Sequence, residues 1–161
     1  MKKITILLSI GIVSIGTILA IWFFPTMISN LSVNSDNIIT VYKSPSCGCC
    51  KKWVDYLKDH GFKTKIKNVQ DVRPIKTKHG INSKLASCHT AIVGNYVIEG
   101  HVPAEAIKKL LKESPNIKGL AVPGMPIGSP GMEGPNPQSY VVYGINHDGQ
   151  INVFQKIYNS L

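Results

Sequence analysis

Three cysteines crowd into four consecutive positions, and this cluster constrains the fold of the chain more than any other feature of its sequence. Cys47, Cys49 and Cys50 surround Gly48, directly after a short β-branched run and directly before an amphipathic stretch. Only four cysteines occur in 161 residues, which is too few for a disulfide framework across a chain of this length. The length fits one domain with an appended segment, so the clustered thiols need a chemical explanation.

The residues on either side of the cluster predict a strand that passes into a helix. Residues 38–42 form a short apolar run rich in β-branched side chains, which is typical of a buried strand. Trp53, Val54 and Leu57 then form an apolar stripe at helical spacing, and Gly61 supplies a helix stop. The cysteines therefore lie at a strand-to-helix junction, where a helix N-terminus favours the thiolate form.

The pattern that follows extends this unit into an α/β fold. The predicted elements are a strand over 62–69, a helix over 71–79, a hairpin with strands over 90–93 and 96–99, and a helix from Pro103 that ends before Pro115. Alternation of Phe62, Thr64 and Ile66 with lysines predicts a half-buried strand with a basic outer side. The order β-α-β-α-β-β-α is that of a thioredoxin-like core.

Two further segments with different sequence patterns follow this core. Residues 120–137 are rich in proline and glycine and predict a long loop without regular structure. Residues 140–145 and 151–157 are separated by a turn at His147-Asp148-Gly149, and they predict a C-terminal β-hairpin that extends the sheet.

The N-terminal segment predicts export to a membrane. Lys2 and Lys3 precede 21 uncharged residues, Ile4 to Phe24, a run that covers the ~30 Å apolar core of a bilayer at about 1.5 Å per residue. A bulky Ile-Trp-Phe-Phe end favours an uncleaved anchor over a signal peptide, although both remain open. We therefore predict an anchor or signal segment over 1–28, a polar tether over 29–37 and one domain over 38–161.

The same segment predicts where the domain lies. Because the lysines precede the apolar run, the remaining chain is expected on the periplasmic or extracytoplasmic side. The net charge is +9, from 18 Lys plus Arg and nine Asp plus Glu. This location and the lack of interleaved aromatic residues argue against a nucleic acid partner. The charge instead fits solubility and attraction to an anionic membrane surface.

A fourth cysteine is predicted to join the cluster. Cys88 and His89 come just before the third strand, and in a thioredoxin-like order that segment faces the start of the first helix. Glutaredoxin-like proteins carry a proline there, whereas this chain carries two residues that bind metals. Four thiols and an imidazole are thus expected at one place.

The chemistry of this cluster leaves three interpretations. A Cys47/Cys50 pair has the spacing of a thiol-disulfide oxidoreductase, although Cys49 gives its disulfide a third thiol with which to exchange. Thiolates also select Cu(I), zinc or iron-sulfur centres. Structural zinc sites use two separated pairs, whereas the adjacent Cys49 and Cys50 suit bridging in a Cu(I) thiolate cluster. Copper is therefore preferred and zinc is less favoured.

Three further residues are candidate ligands. His101 follows the predicted hairpin, and Met125 and Met132 lie in the proline- and glycine-rich loop, where a thioether serves as a soft ligand or as incidental filler. Other conspicuous side chains are given structural interpretations. These are Trp53 as core beneath the cysteines, His60, His79 and His147 as helix-end or turn residues, and Glu99 and Glu133 as surface charges.

Four motifs in order give the chain a recognisable pattern. They occupy residues 44–53, 85–91, 96–104 and 119–133, and include SPSCGCCKKW and LASCHTA. Together they closely resemble the CopG-type family of small periplasmic, thioredoxin-like copper-resistance proteins, over roughly residues 38–157. The resemblance implies copper binding at Cys47, Cys49, Cys50 and Cys88, with redox handling or sequestration of copper in the envelope. The predicted uncleaved anchor would hold the domain at the membrane, which differs from a freely diffusing periplasmic protein.

The leading hypothesis is an envelope copper-binding protein of copper tolerance. It would hold one or several Cu(I) ions on the four cysteines, helped by His89 and by His101, Met125 and Met132. Binding and Cu(I)/Cu(II) conversion remain equally open, so the sequence does not decide whether the protein is an enzyme. Its expected partners are copper ions, the membrane, and envelope copper exporters, chaperones or electron donors. The alternatives are a thiol-disulfide oxidoreductase and a structural zinc domain.

Overall fold

A computed structural model describes residues 38–159 of the chain. The predicted anchor over 1–28 and tether over 29–37 lie outside these residues. Within the described range, no helix combines the length and the apolar character that a bilayer crossing requires.

The chain forms seven strands and three α-helices over this range, with a short 3₁₀ turn at Ser83–Leu85. The first seven elements are β1 (Ile38–Lys43), α1 (Gly48–Asp59), β2 (Lys63–Asn68), α2 (Arg73–Lys78), β3 (Thr90–Val93), β4 (Tyr96–Glu99) and α3 (Ala104–Glu113). The last three are β5 (Gly119–Ala121), β6 (Tyr140–Ile145) and β7 (Ile151–Ile157). The predicted α/β class and element order are confirmed, and the closer assignment to a thioredoxin-like core stays a prediction.

All seven strands belong to one mixed sheet in the order β2-β1-β3-β4-β5-β6-β7. Two neighbouring pairs are parallel, β1 with β2 and β4 with β5, and each is connected through a helix as parallel strands require. The other neighbours are antiparallel. In the β1–β3 pair, Tyr42 lies opposite Thr90, so the end of β1 meets the beginning of β3.

The main core lies between one face of the sheet and the helices α1 and α3. Trp53, Val54 and Leu57 are fully buried, so the apolar stripe predicted for α1 is confirmed. A smaller cluster forms around Val97 of β4, whereas Ile98 belongs to the main core. Since successive strand residues face opposite sides, the central sheet is covered on both faces.

The prediction of a half-buried strand over 62–69 holds only in its first half. Phe62 and Thr64 are partly buried and Lys63 and Lys65 are exposed, but Ile66, on the side predicted to face the core, is 42% exposed. The strand lies at an edge of the sheet and pairs with β1 alone. An edge strand lacks the second neighbour that would cover its apolar side chains.

The prediction that residues 120–137 contain no regular structure is also wrong at its start. Gly119–Ala121 forms β5 between β4 and β6, with Leu120 and Ala121 fully buried. A three-residue strand is too short to show alternation in the sequence, and proline begins only at Pro123. The predicted C-terminal hairpin is confirmed as β6 and β7, which extend the sheet through β5.

The loop between β5 and β6 packs against the first turn of α1. Gly131 has a φ of +82°, and a Cβ at this position would lie 2.7 Å from the Cys49 carbonyl oxygen and 2.8 Å from the Trp53 nitrogen. Only glycine permits both this backbone conformation and this close approach. The loop therefore borders the cysteine cluster.

We predict that Gly131→Ala lowers the free energy of unfolding by about 2–4 kcal/mol, because left-handed strain and overpacking add. Gly124→Ala is the matched control, since Gly124 also has a positive φ, +64°, but faces open space. It should lose only about 1–2 kcal/mol, the strain alone. Urea unfolding followed by circular dichroism measures both, and equal losses would contradict the packing of the loop on α1.

Candidate metal centre

The cysteine cluster occupies the first turn of α1, as predicted. Cys47 is the N-cap residue, and its Sγ accepts a hydrogen bond from the backbone N–H of Cys50 at 3.3 Å. Its carbonyl oxygen accepts from Lys51 N–H at 3.3 Å. The sulfur of Cys47 therefore takes the place of the oxygen that usually caps a helix.

The four cysteine sulfurs converge, and each lies within 4.8 Å of every other. Cys47 and Cys50 form a disulfide, and Cys49 and Cys88 are free. The Cys49 sulfur lies 3.5 Å from that of Cys47. The Cys88 sulfur lies 3.4 Å from that of Cys50 and 3.8 Å from that of Cys49. Reduction of the disulfide would therefore leave four thiols close enough to one another to bind a shared metal ion.

His101, the histidine nearest the Cys88 sulfur, has a defined tautomer. The Nδ1 of His101 lies 2.7 Å from the Pro130 carbonyl oxygen, and because a carbonyl only accepts, Nδ1 carries the proton. The other nitrogen, Nε2, lies 3.1 Å from the sulfur of Cys88. Burial lowers the pKa of His101, which keeps the ring neutral and leaves a lone pair directed at Cys88.

His89 is the second imidazole beside Cys88. Its Nδ1 lies 3.3 Å from the Cys88 sulfur, and its ring packs on Trp53 with 4.4 Å between centroids. The residue is fully buried, and its Nε2 has no hydrogen-bond partner among the described residues. Burial lowers the pKa of His89 well below its usual value, and protonation of His101 would lower it further. The ring is therefore a neutral ligand candidate.

Cys88 itself is held as a thiol while no metal is bound. Burial, followed by repulsion from Cys49, raises its pKa to about 12. A metal ion that binds this sulfur must therefore displace a proton. The three groups Cys88, His89 and His101 place one ligand atom each within 4.8 Å of one another, as a second candidate ligand group that shares Cys88 with the first.

Both candidate methionines lie on the loop that borders the cluster. Met125 is 49% exposed and follows Gly124, whose N–H donates to the Ala86 carbonyl oxygen at 3.1 Å. Met132 is partly buried and follows Gly131, which packs on α1. The loop backbone before Met132 thus approaches α1 at Cys49, and a ligand role for either methionine sulfur stays a prediction.

Glu99 is not a surface charge, and the prediction that it is one is wrong. Its carboxylate is fully buried and accepts from Ser87 N–H and Thr90 Oγ1, each at 2.6 Å. It also forms a buried ion pair with Lys76, whose Nζ donates to Thr90 Oγ1 at 3.1 Å. Ser87 and Thr90 flank Cys88–His89, so Glu99 holds one residue on each side of this candidate ligand pair, Ser87 through its backbone N–H and Thr90 through its hydroxyl.

A signal for this role was present in the sequence. Glu99 ends a strand whose preceding residues are apolar, and a buried carboxylate requires a cation as partner. Lys76 lies on α2, 23 positions earlier. The pattern can suggest a buried carboxylate but cannot identify the lysine that pairs with it.

The other structural interpretations agree with the fold. Trp53 is fully buried, and its indole N–H donates to the Val102 carbonyl oxygen at 2.9 Å. Glu133 is exposed. His60, His79 and His147 lie at the end of α1, the end of α2 and the final hairpin turn, outside both candidate ligand groups.

The chain is similar to one family of unknown function and to two solved structures of a copper resistance protein. A family described as Protein of unknown function, DUF411, matches residues 85–132. A solved structure titled Copper resistance protein copG, Form 2, is 39% identical with a TM-score of 0.72, and the match covers 75% of this chain and 98% of that one. Form 1 is also 39% identical, with a TM-score of 0.71 and coverage of 76% and 98%. No curated protein matches the chain.

The lowered pKa values of His89 and His101 predict the pH dependence of the metal-free protein. In the unfolded chain both rings take up protons near pH 6.5, whereas burial keeps them neutral in the fold. The unfolded state therefore binds more protons below pH 6.5, and the free energy of unfolding falls as pH decreases. The slope approaches about 1.4 kcal/mol per pH unit for His89, whose pKa lies well below its usual value, and His101 adds a smaller part.

Urea unfolding between pH 7.5 and 5.0 measures this slope. His89→Gln should remove the larger part of it, since the pKa of His89 is lowered well below its usual value and that of His101 is lowered less. His147→Gln, in an exposed turn, is the control and should leave the slope unchanged. A slope in His89→Gln as steep as in the unmodified chain would show that the His89 ring is not held neutral.

We predict that Glu99→Gln lowers the free energy of unfolding by about 3 kcal/mol or more, because it leaves the buried Lys76 ammonium without its carboxylate. Asp55→Asn is the control, since Asp55 forms exposed pairs with Lys51 and Lys58, and this variant should lose much less stability than Glu99→Gln. The double variant Lys76→Met/Glu99→Gln should recover part of the loss. Equal losses for Glu99→Gln and Asp55→Asn would contradict the role of the buried pair.

Proposed function

Since this chain belongs to the CopG-type family of copper resistance proteins, we propose that it binds Cu(I) through its four cysteine thiolates and serves copper tolerance in the cell envelope. The observation that carries this proposal is the convergence of the four sulfurs within 4.8 Å of one another. Thiolates are soft ligands that select Cu(I) over hard cations. The positions of the sulfurs thus provide the donor set that this ion prefers.

The arrangement of the sulfurs favours more than one copper ion. Cys49 and Cys50 are adjacent on one helical turn, and Cys88 approaches both from another element at 3.8 and 3.4 Å. A thiolate between two ions can bridge them, whereas a single tetrahedral zinc ion is better served by two separated pairs. We therefore propose a small Cu(I) thiolate cluster rather than a structural zinc site.

Two imidazoles and two thioethers complete the proposed site. The Nε2 lone pair of His101 is directed at Cys88, and His89 offers a neutral ring beside the same sulfur. Imidazole also suits Cu(II), so the two histidines would receive an oxidised ion before it is reduced. Met125 and Met132 are the proposed auxiliary soft ligands.

The Cys47–Cys50 disulfide supports a redox role for the same site. When two thiolates join in a disulfide they release two electrons, which reduce two Cu(II) ions to two Cu(I) ions. The Cu(I) ions would then be retained by the remaining thiolates. Sequestration and conversion of copper are in this way two uses of one set of sulfurs.

The proposed location follows from the N-terminal sequence. An uncharged run of 21 residues after Lys2 and Lys3 supports a membrane anchor with the domain on the extracytoplasmic side. A domain held there meets copper before it reaches the cytoplasm. Its proposed partners are envelope copper exporters, copper chaperones or electron donors.

A thiol-disulfide oxidoreductase is the second candidate function, and the Cys47–Cys50 disulfide favours it as well. This function needs the Cys47/Cys50 pair alone, whereas copper binding needs Cys49 and Cys88 too. Reduction of insulin disulfides by the Cys49→Ser variant separates the two. Turnover that survives in this variant supports the oxidoreductase, and no turnover in any variant removes it.

We predict that the reduced full chain, titrated anaerobically with Cu(I) against a chromophoric Cu(I) chelator, binds at least one ion per chain. Cys88→Ser should weaken binding at least tenfold, because it removes the sulfur that joins both candidate ligand groups. His101→Gln should weaken it less, and His147→Gln, the matched control in an exposed turn, should not. A stoichiometry below one that is unchanged in Cys88→Ser would contradict copper binding at this site.

A further inference from the structure

We propose that a cationic cavity beside Cys47 binds small anionic thiols and directs them onto the Cys47–Cys50 disulfide. Reduction of this disulfide restores the thiols of the cluster. The inference rests on the cavity, its charges and the difference in exposure between Cys47 and Cys50. It holds whichever metal the reduced cluster binds.

The cavity lies where the end of β1, the first turn of α1 and the edge strand β2 meet. Its volume is about 260 Å³, just below the ~300–1,000 Å³ range of ligand pockets. The wall includes Lys43, Ser46, Cys47, Lys51, Ile66 and Asn68. A space of this size fits a molecule comparable to one amino acid.

The charge of the cavity is one-sided. Two lysines line it, and no carboxylate does. Lys43 is 5% exposed, and its Nζ donates to the carbonyl oxygens of Ser44 at 2.8 Å and Pro45 at 3.4 Å. Among the ion pairs of residues 38–159, none involves Lys43.

The second lysine and the helix add to the same field. Lys51 pairs with Asp55 at 3.0 Å, but this contact is exposed and compensates the charge only weakly. The cavity also faces the N-terminus of the 12-residue α1, whose dipole favours an anion. The nearly buried Lys43 ammonium contacts two carbonyl oxygens and no carboxylate among residues 38–159, so its positive charge is not neutralised there and favours an anionic ligand.

Only one cysteine of the disulfide lines this cavity. Cys47 is partly exposed and lines the wall, whereas Cys50 is fully buried and does not. An entering thiolate consequently meets Cys47, and Cys50 becomes the leaving group. The leaving sulfur remains in the cluster, 3.4 Å from Cys88.

The exchange proceeds in two balanced steps. The entering thiolate forms a bond to the sulfur of Cys47, the bond between Cys47 and Cys50 breaks, and Cys50 takes the electron pair as a thiolate. A second thiolate then attacks the sulfur of the bound thiol and releases it as a disulfide, which leaves Cys47 as a thiolate. Two small thiols are oxidised, and one protein disulfide is reduced.

The test compares three small thiols on the oxidised, metal-free full chain. They are 2-mercaptoethanesulfonate, which is anionic, 2-mercaptoethanol, which is neutral, and cysteamine, which is cationic. Each rate of disulfide reduction is divided by the rate of the same thiol with bis(2-hydroxyethyl) disulfide, which removes differences in intrinsic thiol reactivity. We expect the anionic thiol to exceed the neutral one at least tenfold at low salt, with cysteamine slowest.

Two lysine variants separate the cavity from general surface charge. Lys51→Gln should reduce the preference for the anionic thiol at least threefold, because Lys51 lines the cavity. Lys52→Gln is the matched control, since Lys52 is the next residue on the exposed helix surface but does not line the cavity. Circular dichroism checks that both variants are folded.

Acid quenching followed by mass spectrometry should locate the mixed disulfide on Cys47. Equal normalised rates for the three thiols, equal effects of the two lysine variants, or a mixed disulfide on Cys50 would each overturn the proposal. None of these readouts involves copper. The Cu(I) titration therefore decides the proposed function independently of this result.

Discussion

The pairing of β1 with β3 is the constraint on which the rest of the site depends. Tyr42 lies opposite Thr90 in this antiparallel pair, so the residues that follow β1 and those that precede β3 meet at one end of the sheet. Cys47 to Cys50 occupy the first position and Cys88–His89 the second. A shift of register by one residue would turn the side chains of a strand to the other face and would separate the sulfurs.

A buried charge pair supports this convergence from within the domain. Glu99 connects β4 to both sides of Cys88–His89, and Lys76 connects α2 to the same carboxylate. An ion pair of this kind adds little net stability, since removing two charges from water is costly. Its contribution here is geometric, because hydrogen bonds from Ser87 and Thr90 to the Glu99 carboxylate hold the residues on both sides of Cys88–His89.

The sequence predicted much of this arrangement for physical reasons that are local. Helical spacing of Trp53, Val54 and Leu57 and short β-branched runs identify most elements, and their order places Cys88 opposite the first helix. The resemblance to the CopG-type family, read from four motifs, is confirmed by the 39% identity to the solved copper resistance proteins. The features that were missed depend on contacts between distant residues. The exposure of Ile66 follows from the edge position of β2, and the burial of Glu99 follows from its pairing with Lys76.

The contact between His101 and the Pro130 carbonyl oxygen has a consequence for how this centre can vary. The atom that accepts the imidazole proton belongs to the peptide backbone, so the choice of donor nitrogen is independent of the side chain at position 130. What matters is the path of the loop, which Gly131 holds against α1. The path of the main chain therefore decides which nitrogen of His101 carries the proton and which nitrogen is the candidate metal ligand. The loop can accept changes in many of its side chains while Nε2 of His101 remains the unprotonated nitrogen.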